Sequence, residues 1–289
     1  MNACEDPPDT SRSSVKAVGA AFAITSGLFC IELLGGWWTG SLALIADAAH
    51  VGIDLIALGM TLFAAVASRR PPDTKRTFGY KRLEVLAALG NGVALWVATG
   101  IILREAYARV LFPLPVAGGE MLAIAGLALA CNATSGTILY ASSRHNINIR
   151  GAFLHVVSDT LGSLAAMAAA LIIIKTRFYQ ADAFASVAIC CGIVLTSFWL
   201  LRDSVHILLE GAPSHLDIEE IRSSLAALSG VKEVHDLHLW SLTQGSESMS
   251  GHLVVEPGRD RDEVLNLGRE LLKQRFGLSH VTLQIEKHK

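Results

Sequence analysis

Charged side chains are scarce in this chain. They make up 17% of its 289 residues, where a soluble globular protein carries about a quarter. With 52% hydrophobic residues and a mean hydropathy of +0.44, the composition is that of a membrane-embedded chain. The formal net charge is only −2, and no basic patch is interleaved with aromatics, so nucleic acid is excluded as a partner. A paired cysteine framework is also missing. Cys4, Cys30, Cys131, Cys190 and Cys191 show no disulfide spacing, and a cysteine within an apolar segment behaves as a small buried hydrophobe. The first residues, MNACEDPPDTSRSSVK, are polar and acidic, which does not fit a cleavable signal peptide. There is no HExxH, and no Ser or Cys pairs with a base. Nothing in the sequence points to an enzyme.

Long apolar runs are what the chain does have. Stretches of about 20 mostly apolar residues span a bilayer as helices. Six are expected, at about 15–36, 41–67, 83–110, 119–142, 151–174 and 182–206. The loop SRRPPDTKRTFGYKR after the second run is strongly basic, and the loop after the fourth adds Arg144 and Arg150. The opposite connections carry few basic residues. The positive-inside rule then puts both termini in the cytoplasm, as an even number of spans requires. Composition turns soluble after LLEGAPSHLD, where the pattern reads helix 217–228, strands 231–242 and 248–256, helix 260–276 and strand 279–286. The expected division is a tail at 1–14, a transmembrane domain at 15–210 and a cytosolic αββαβ domain at 211–289.

Ionisable groups inside the hydrocarbon layer are costly and usually functional. The stretch AHVGID presents His50 and Asp54, and LHVVSD in the fifth run presents His155 and Asp159. Residues four apart share a helix face, so each run offers one imidazole and one carboxylate in the same direction. Two nitrogens and two oxygens from facing helices suit tetrahedral Zn²⁺; Co²⁺, Cd²⁺ and Ni²⁺ stay compatible with the same ligands. Asp47 lies on the same side of the second run and fits an aqueous entry path, whereas Glu32 and Asn91 read as helix–helix hydrogen-bonding groups. Four protein ligands with no catalytic base describe a site that carries a metal. Imidazole titrates near ~6.5, so metal binding would displace protons near neutral pH, which is what a metal/proton antiporter needs. An intramembrane metalloenzyme would need an open coordination position. A membrane-anchored sensor would have no need of buried ligands.

The segments GSLALIADAAHVGID, SRRPPDTKRTFGYKRLEVLAAL, HVVSDTLGS, ADAFASVAI and HDLHLW together resemble the cation diffusion facilitator family, most of all its bacterial zinc exporters. The resemblance covers nearly the whole chain. It implies a homodimeric Zn²⁺/H⁺ antiporter of the inner, cytoplasmic membrane that exchanges protons for divalent metal through His50, Asp54, His155 and Asp159. It also implies a metallochaperone-like cytosolic domain that binds zinc through His235, His252, His280 and Glu286. A charge interlock at the dimer interface would be formed by Arg82 and Glu210. Strand parity puts His280 and Glu286 on one polar face, but it groups His235 with Leu237 and Leu239, leaving His238 the more exposed, unless the strand starts later or bulges. The family's additional metal site in the second loop should be absent, because Asp73 is joined by Arg76 and Tyr80 in place of two histidines.

Overall fold

A computed structural model describes residues 10–68, 70–143, 147–243 and 245–287; side chains are described from Phe22 onward, except at 61, 65 and 138–155. Six long helices come first: α1 (Thr10–Thr39), α2 (Leu42–Ser68), α3 (Arg82–Leu111), α4 (Gly118–Ser143), α5 (Ile147–Thr176) and α6 (Gln180–Leu208). Their ends lie within about five residues of the expected spans, as boundaries read from periodicity should. Among the described residues, five of the six are long and apolar enough to cross a membrane. The other is α4, whose side chains are described only as far as Thr137 and which carries Asn132, Thr134 and Ser135 within its apolar run. Two of these polar groups are satisfied within the protein, Asn132 donating to Ser163 Oγ (3.2 Å) and Thr134 to the Ala130 carbonyl (2.7 Å).

The chain forms two compact units. The first comprises the residues up to Gly59 together with Asn91–Phe198. Its core mixes Leu44 and Met121 with many small residues, among them Ala46, Ala125, Ala166, Ala170 and Cys190. Lipid is as apolar as leucine, so helices associate in a bilayer by close packing, and small residues permit that approach. Gly162 on α5 shows this directly, since a Cβ there would lie 2.9 Å from an Asp47 carboxylate oxygen on α2.

Two loop residues turn α1 into α2, and Gly40 makes the turn at φ 73°. The start of α2 is capped from another helix. Asp182, near the start of α6, accepts from Ser41 Oγ (2.6 Å) and from the amides of Leu42 (2.6 Å) and Ala43 (3.1 Å). These amides belong to the group that has no partner within its own helix, so a buried carboxylate there satisfies them and favours the helix dipole. Arg109 on α3 completes the junction, donating to the Gly40 carbonyl at 2.5 Å and standing 3.7 Å from Asp182.

The second unit comprises Met60–Gly90 and Trp199–Lys289. Beyond α6 it contains α7 (Ile218–Ala226), β1 (Val231–Thr243), β2 (Ser246–Val255), α8 (Arg261–Phe276) and β3 (His280–Lys287). The strands β1 and β2 form an antiparallel hairpin, and β3 returns parallel to β2 after α8, giving the order β1-β2-β3. A parallel return needs such a crossover element. Asp217 and Asp260 cap the two helices through the amides of Glu219 and of Asp262 and Glu263. Gly277 ends α8 in the left-handed conformation that glycine adopts without strain. Ile221, Leu225, Leu253 and Leu272 meet in the core. The expected αββαβ order is the order observed.

Candidate functional site

On α2, one helical turn separates His50 from Asp54, and the two side chains approach at Nδ1···Oδ2 3.5 Å. The other ring nitrogen, Nε2, lies 3.6 Å from Oδ1 of Asp159 on α5. The imidazole therefore stands between a carboxylate of its own helix and one of the facing helix. Asp159 is 5% exposed and Asp47 2%, so these acids are out of bulk water. His155, one turn before Asp159, belongs to α5, but its side chain lies outside the described residues. Three of the four expected transport ligands are thus brought together, and the backbone of the fourth sits on the same helix as Asp159.

A cavity of about 380 Å³ adjoins this centre, lined by Asp47, His50, Ser158 and Asp159 and walled by Ile189, Gly192, Ile193 and Thr196 of α6. Asp47 thus faces the same space as the His50 and Asp159 groups, where an entry path was expected. Asn91 on α3 reaches the site as well, its Nδ2 standing 3.5 Å from Asp54 Oδ1. The sequence reads Asn91 as a helix–helix hydrogen-bonding group, and the contact from α3 to α2 is of that kind; a lone polar residue in an apolar run does not say which group it meets. Glu32 is fully buried beside Asp47.

In the second unit, His235 and His252 are paired directly across the hairpin, with ring centroids 5.2 Å apart. Glu286 of β3 lies between them, 3.2 Å from His235 Nε2 and 3.0 Å from His252 Nδ1. One ligand atom from each of the three falls within 4.8 Å of the others. Two imidazoles and a carboxylate suit a zinc-type ion, which would still have a coordination position for a further ligand. Asp236 adds a carboxylate, 3.0 Å from His238 and 3.7 Å from His252.

The hairpin bulges here. Asp236 adopts φ 49°, and the register shifts between His235 and His238. The extra residue removes the simple alternation, so His235 leaves the parity it would share with Leu237 and joins His252. His280, expected among these ligands, lies apart from the other three within this chain. The parallel register pairs it with Ser248, while His252 pairs with Gln284. A four-residue offset is roughly 13 Å along a strand. His280 instead stacks edge-on against Phe78, centroids 5.6 Å apart.

The carboxylates of this cluster are held in the charged form. Gln284 donates to Glu286 at 2.8 Å; this bond and then the neighbouring His235 and His252 keep the carboxyl below the usual carboxylate range. Asp236 is lowered chiefly by its hydrogen bond with His238. The loop between α2 and α3 closes on itself. Asp73 accepts from the amides of Lys75 and Arg76 (both 2.7 Å) and from the Tyr80 hydroxyl (2.8 Å), and the hydroxyl is the main cause of its lowered carboxyl. Arg76 lies over the Tyr80 ring, 4.8 Å from its centroid. A phenol and a guanidinium thus occupy the positions where a metal would need neutral imidazoles. Arg82 Nη2 meets Glu210 Oε1 at 3.0 Å within one chain.

Residues 18–209 match the family description "Cation efflux transmembrane domain", and residues 213–288 match "Cation efflux protein, cytoplasmic domain". The chain is 43% identical over 268 residues to the zinc transporter ZitB of Escherichia coli (strain K12), covering 92% of this chain and 85% of that one. It is 37% identical over 275 residues to the cadmium, cobalt and zinc/H(+)-K(+) antiporter of Bacillus subtilis (strain 168), covering 94% and 88%. A solved structure described as the metal-bound C-terminal domain of the CzcD transporter from Cuprividus metallidurans is 33% identical, with TM-score 0.24, covering 25% of this chain and 99% of that one. An imidazole between carboxylates of two membrane helices and two family matches spanning most of the sequence lead to one assignment: the chain belongs to the cation efflux, or cation diffusion facilitator, family, and is a multi-pass membrane transporter with a cytoplasmic C-terminal domain rather than an enzyme.

Proposed function

We propose that this protein exports Zn²⁺ from the cytoplasm in exchange for protons, as a homodimer in the inner membrane, through a site made by His50, Asp54, His155 and Asp159. The observation that carries this reading is the His50 imidazole held between Asp54 and Asp159, with approaches of 3.5 and 3.6 Å. In the absence of metal these groups attract one another, and the imidazole is protonated when it serves both carboxylates. An arriving Zn²⁺ takes the same oxygens and the ring nitrogen, and the proton must leave. Metal and proton therefore compete for one set of atoms, which is the coupling an antiporter requires. The relatives whose names specify zinc, and zinc with cadmium and cobalt, support a zinc-type substrate. The mixed nitrogen and oxygen ligand set supports the same choice.

The cytosolic cluster of His235, His252 and Glu286 would hold a second, resident zinc, completed by a water or a group from the partner subunit. The Arg82–Glu210 pair would stand at the dimer interface. Zinc bound in the cytosolic domain would shift the transport equilibrium only by preferring one of its conformations.

The deciding experiment is zinc uptake into proteoliposomes under an imposed pH gradient. Gradient-driven flux should appear with the wild-type protein and vanish with Asp54→Ala and with Asp159→Ala, while both variants stay dimeric by light scattering. Flux that persists in both variants would refute the site.

A further inference from the structure

The second unit contains a cavity of about 570 Å³ that zinc transport does not use, lying between the α2–α3 loop and β1. Its lining carries four cations, Lys75, Arg76, Lys81 and Arg82, and one carboxylate, Glu210. Arg82 is paired with that carboxylate at 3.0 Å. Lys81 donates to a neutral group, Ser246 Oγ, at 2.9 Å. Arg76 rests on the Tyr80 ring. The remaining positive charge converges on a recess whose wall includes Trp240. Like charges gathered in a concavity repel unless an anion joins them, and low-dielectric walls focus their field. Lysine ammonium and arginine guanidinium groups are the natural donors to phosphate oxygens. The volume falls within the range of small-ligand sites.

The cavity is formed by the loop joining two membrane helices and by the cytoplasmic domain, so it lies on the cytoplasmic side. That leaflet is the one rich in anionic lipid, which juxtamembrane cations attract. We propose that this cavity binds a phosphate-bearing anion, either the headgroup of an acidic phospholipid or free inorganic phosphate. The cations hold the phosphate, and Trp240 offers an apolar surface to a glycerol backbone. Occupancy would also add an anion beside Arg82, competing with Glu210 for the guanidinium.

The full chain in detergent would be examined by native mass spectrometry with phosphatidylglycerol and with phosphatidylcholine of the same acyl chains, and separately titrated with inorganic phosphate. The variant Lys75→Gln/Lys81→Gln removes two exposed cations of the cavity, and Arg70→Gln removes an exposed cation of the same loop outside it. The lipid arm should show phosphatidylglycerol retained in preference to phosphatidylcholine, with affinity falling roughly tenfold or more in the double variant and little in Arg70→Gln. Phosphate binding with the same variant dependence, but without lipid preference, would identify free phosphate as the ligand. If neither anion binds, or if Arg70→Gln weakens binding as much as the double variant, the proposal is overturned. None of these readouts depends on zinc flux, so the transport site can fail its own test independently.

Discussion

Replacing Asp182 by alanine tests whether the helix that carries His50 and Asp54 is fixed at its N-terminal end by a buried carboxylate. Asp182 is 1% exposed and accepts three hydrogen bonds at 2.6, 2.6 and 3.1 Å. Its removal leaves the amides of Leu42 and Ala43 unsatisfied and dry, since neither has an earlier turn of α2 to supply a carbonyl. An orphaned buried donor costs about 1–3 kcal/mol. Ser41 is less exposed to this loss, because its hydroxyl also accepts from the Leu44 amide at 3.2 Å. Arg109 retains Glu105 at 3.0 Å and the Gly40 carbonyl, so the usual penalty for stranding a buried charge is blunted. Two amides at mid-range therefore set the expected loss at about 4 kcal/mol. At roughly 2–4 °C per kcal/mol, the apparent Tm of the full chain in detergent should fall by about 8 °C or more. Asp182→Asn should fall by less, since its amide oxygen still accepts one of the bonds. Zinc flux should drop in step with Tm, because α2 presents two of the four proposed ligands. An Asp182→Ala protein melting within about 2 °C of wild type would refute the capping argument.

Other outcomes follow from the same geometry. In an Asp159→Ala background, which removes the membrane site, Glu286→Gln and His252→Ala should each weaken zinc binding to the full chain in a competition titration, whereas His280→Ala should leave it unchanged. An effect of His280→Ala equal to theirs would return His280 to the ligand set. Leu253→Ala, at a position with no exposed surface, should destabilise the cytosolic domain by about 2–5 kcal/mol in chemical denaturation. The lowered carboxyl of Asp73 means that the folded loop favours the ionised form. Its stabilisation is complete above the ordinary carboxylate value of about 3.9 and is lost as pH falls through the lower folded value. Hydrogen-exchange protection of residues 72–80 should therefore weaken below about pH 4, and Tyr80→Phe should shift that loss to higher pH. Protection that is the same at low and neutral pH would contradict this. Asn91→Ala should raise the KM for zinc with little change in dimerisation, because Asn91 orients Asp54 from 3.5 Å; an unchanged KM would reduce Asn91 to a packing residue.

Local pattern determined a great deal of this protein. Span length and apolar content specified the membrane helices, and the i, i+4 spacing of His50 with Asp54 put both groups on one face of α2 before any neighbour was known. Alternation along His280–Lys287 separated Leu283 of the core from Glu286 of the polar face. These properties repeat within one element, so they are visible in consecutive residues. What meets what across elements was decided by the tertiary structure. The β2–β3 register brings Glu286, and not His280, to His235 and His252, because α8 and its core contacts set where β3 begins beside β2. The left-handed Asp236 reverses the parity that would have hidden His235, and an aspartate in a strand does not announce a bulge. Asn91 reaches Asp54, and Asp182 caps α2, across separations of 37 and 140 residues. A buried carboxylate in a sequence shows only that a partner is needed. Helix packing chooses that partner, because it alone fixes which unpaired donors lie within hydrogen-bonding distance.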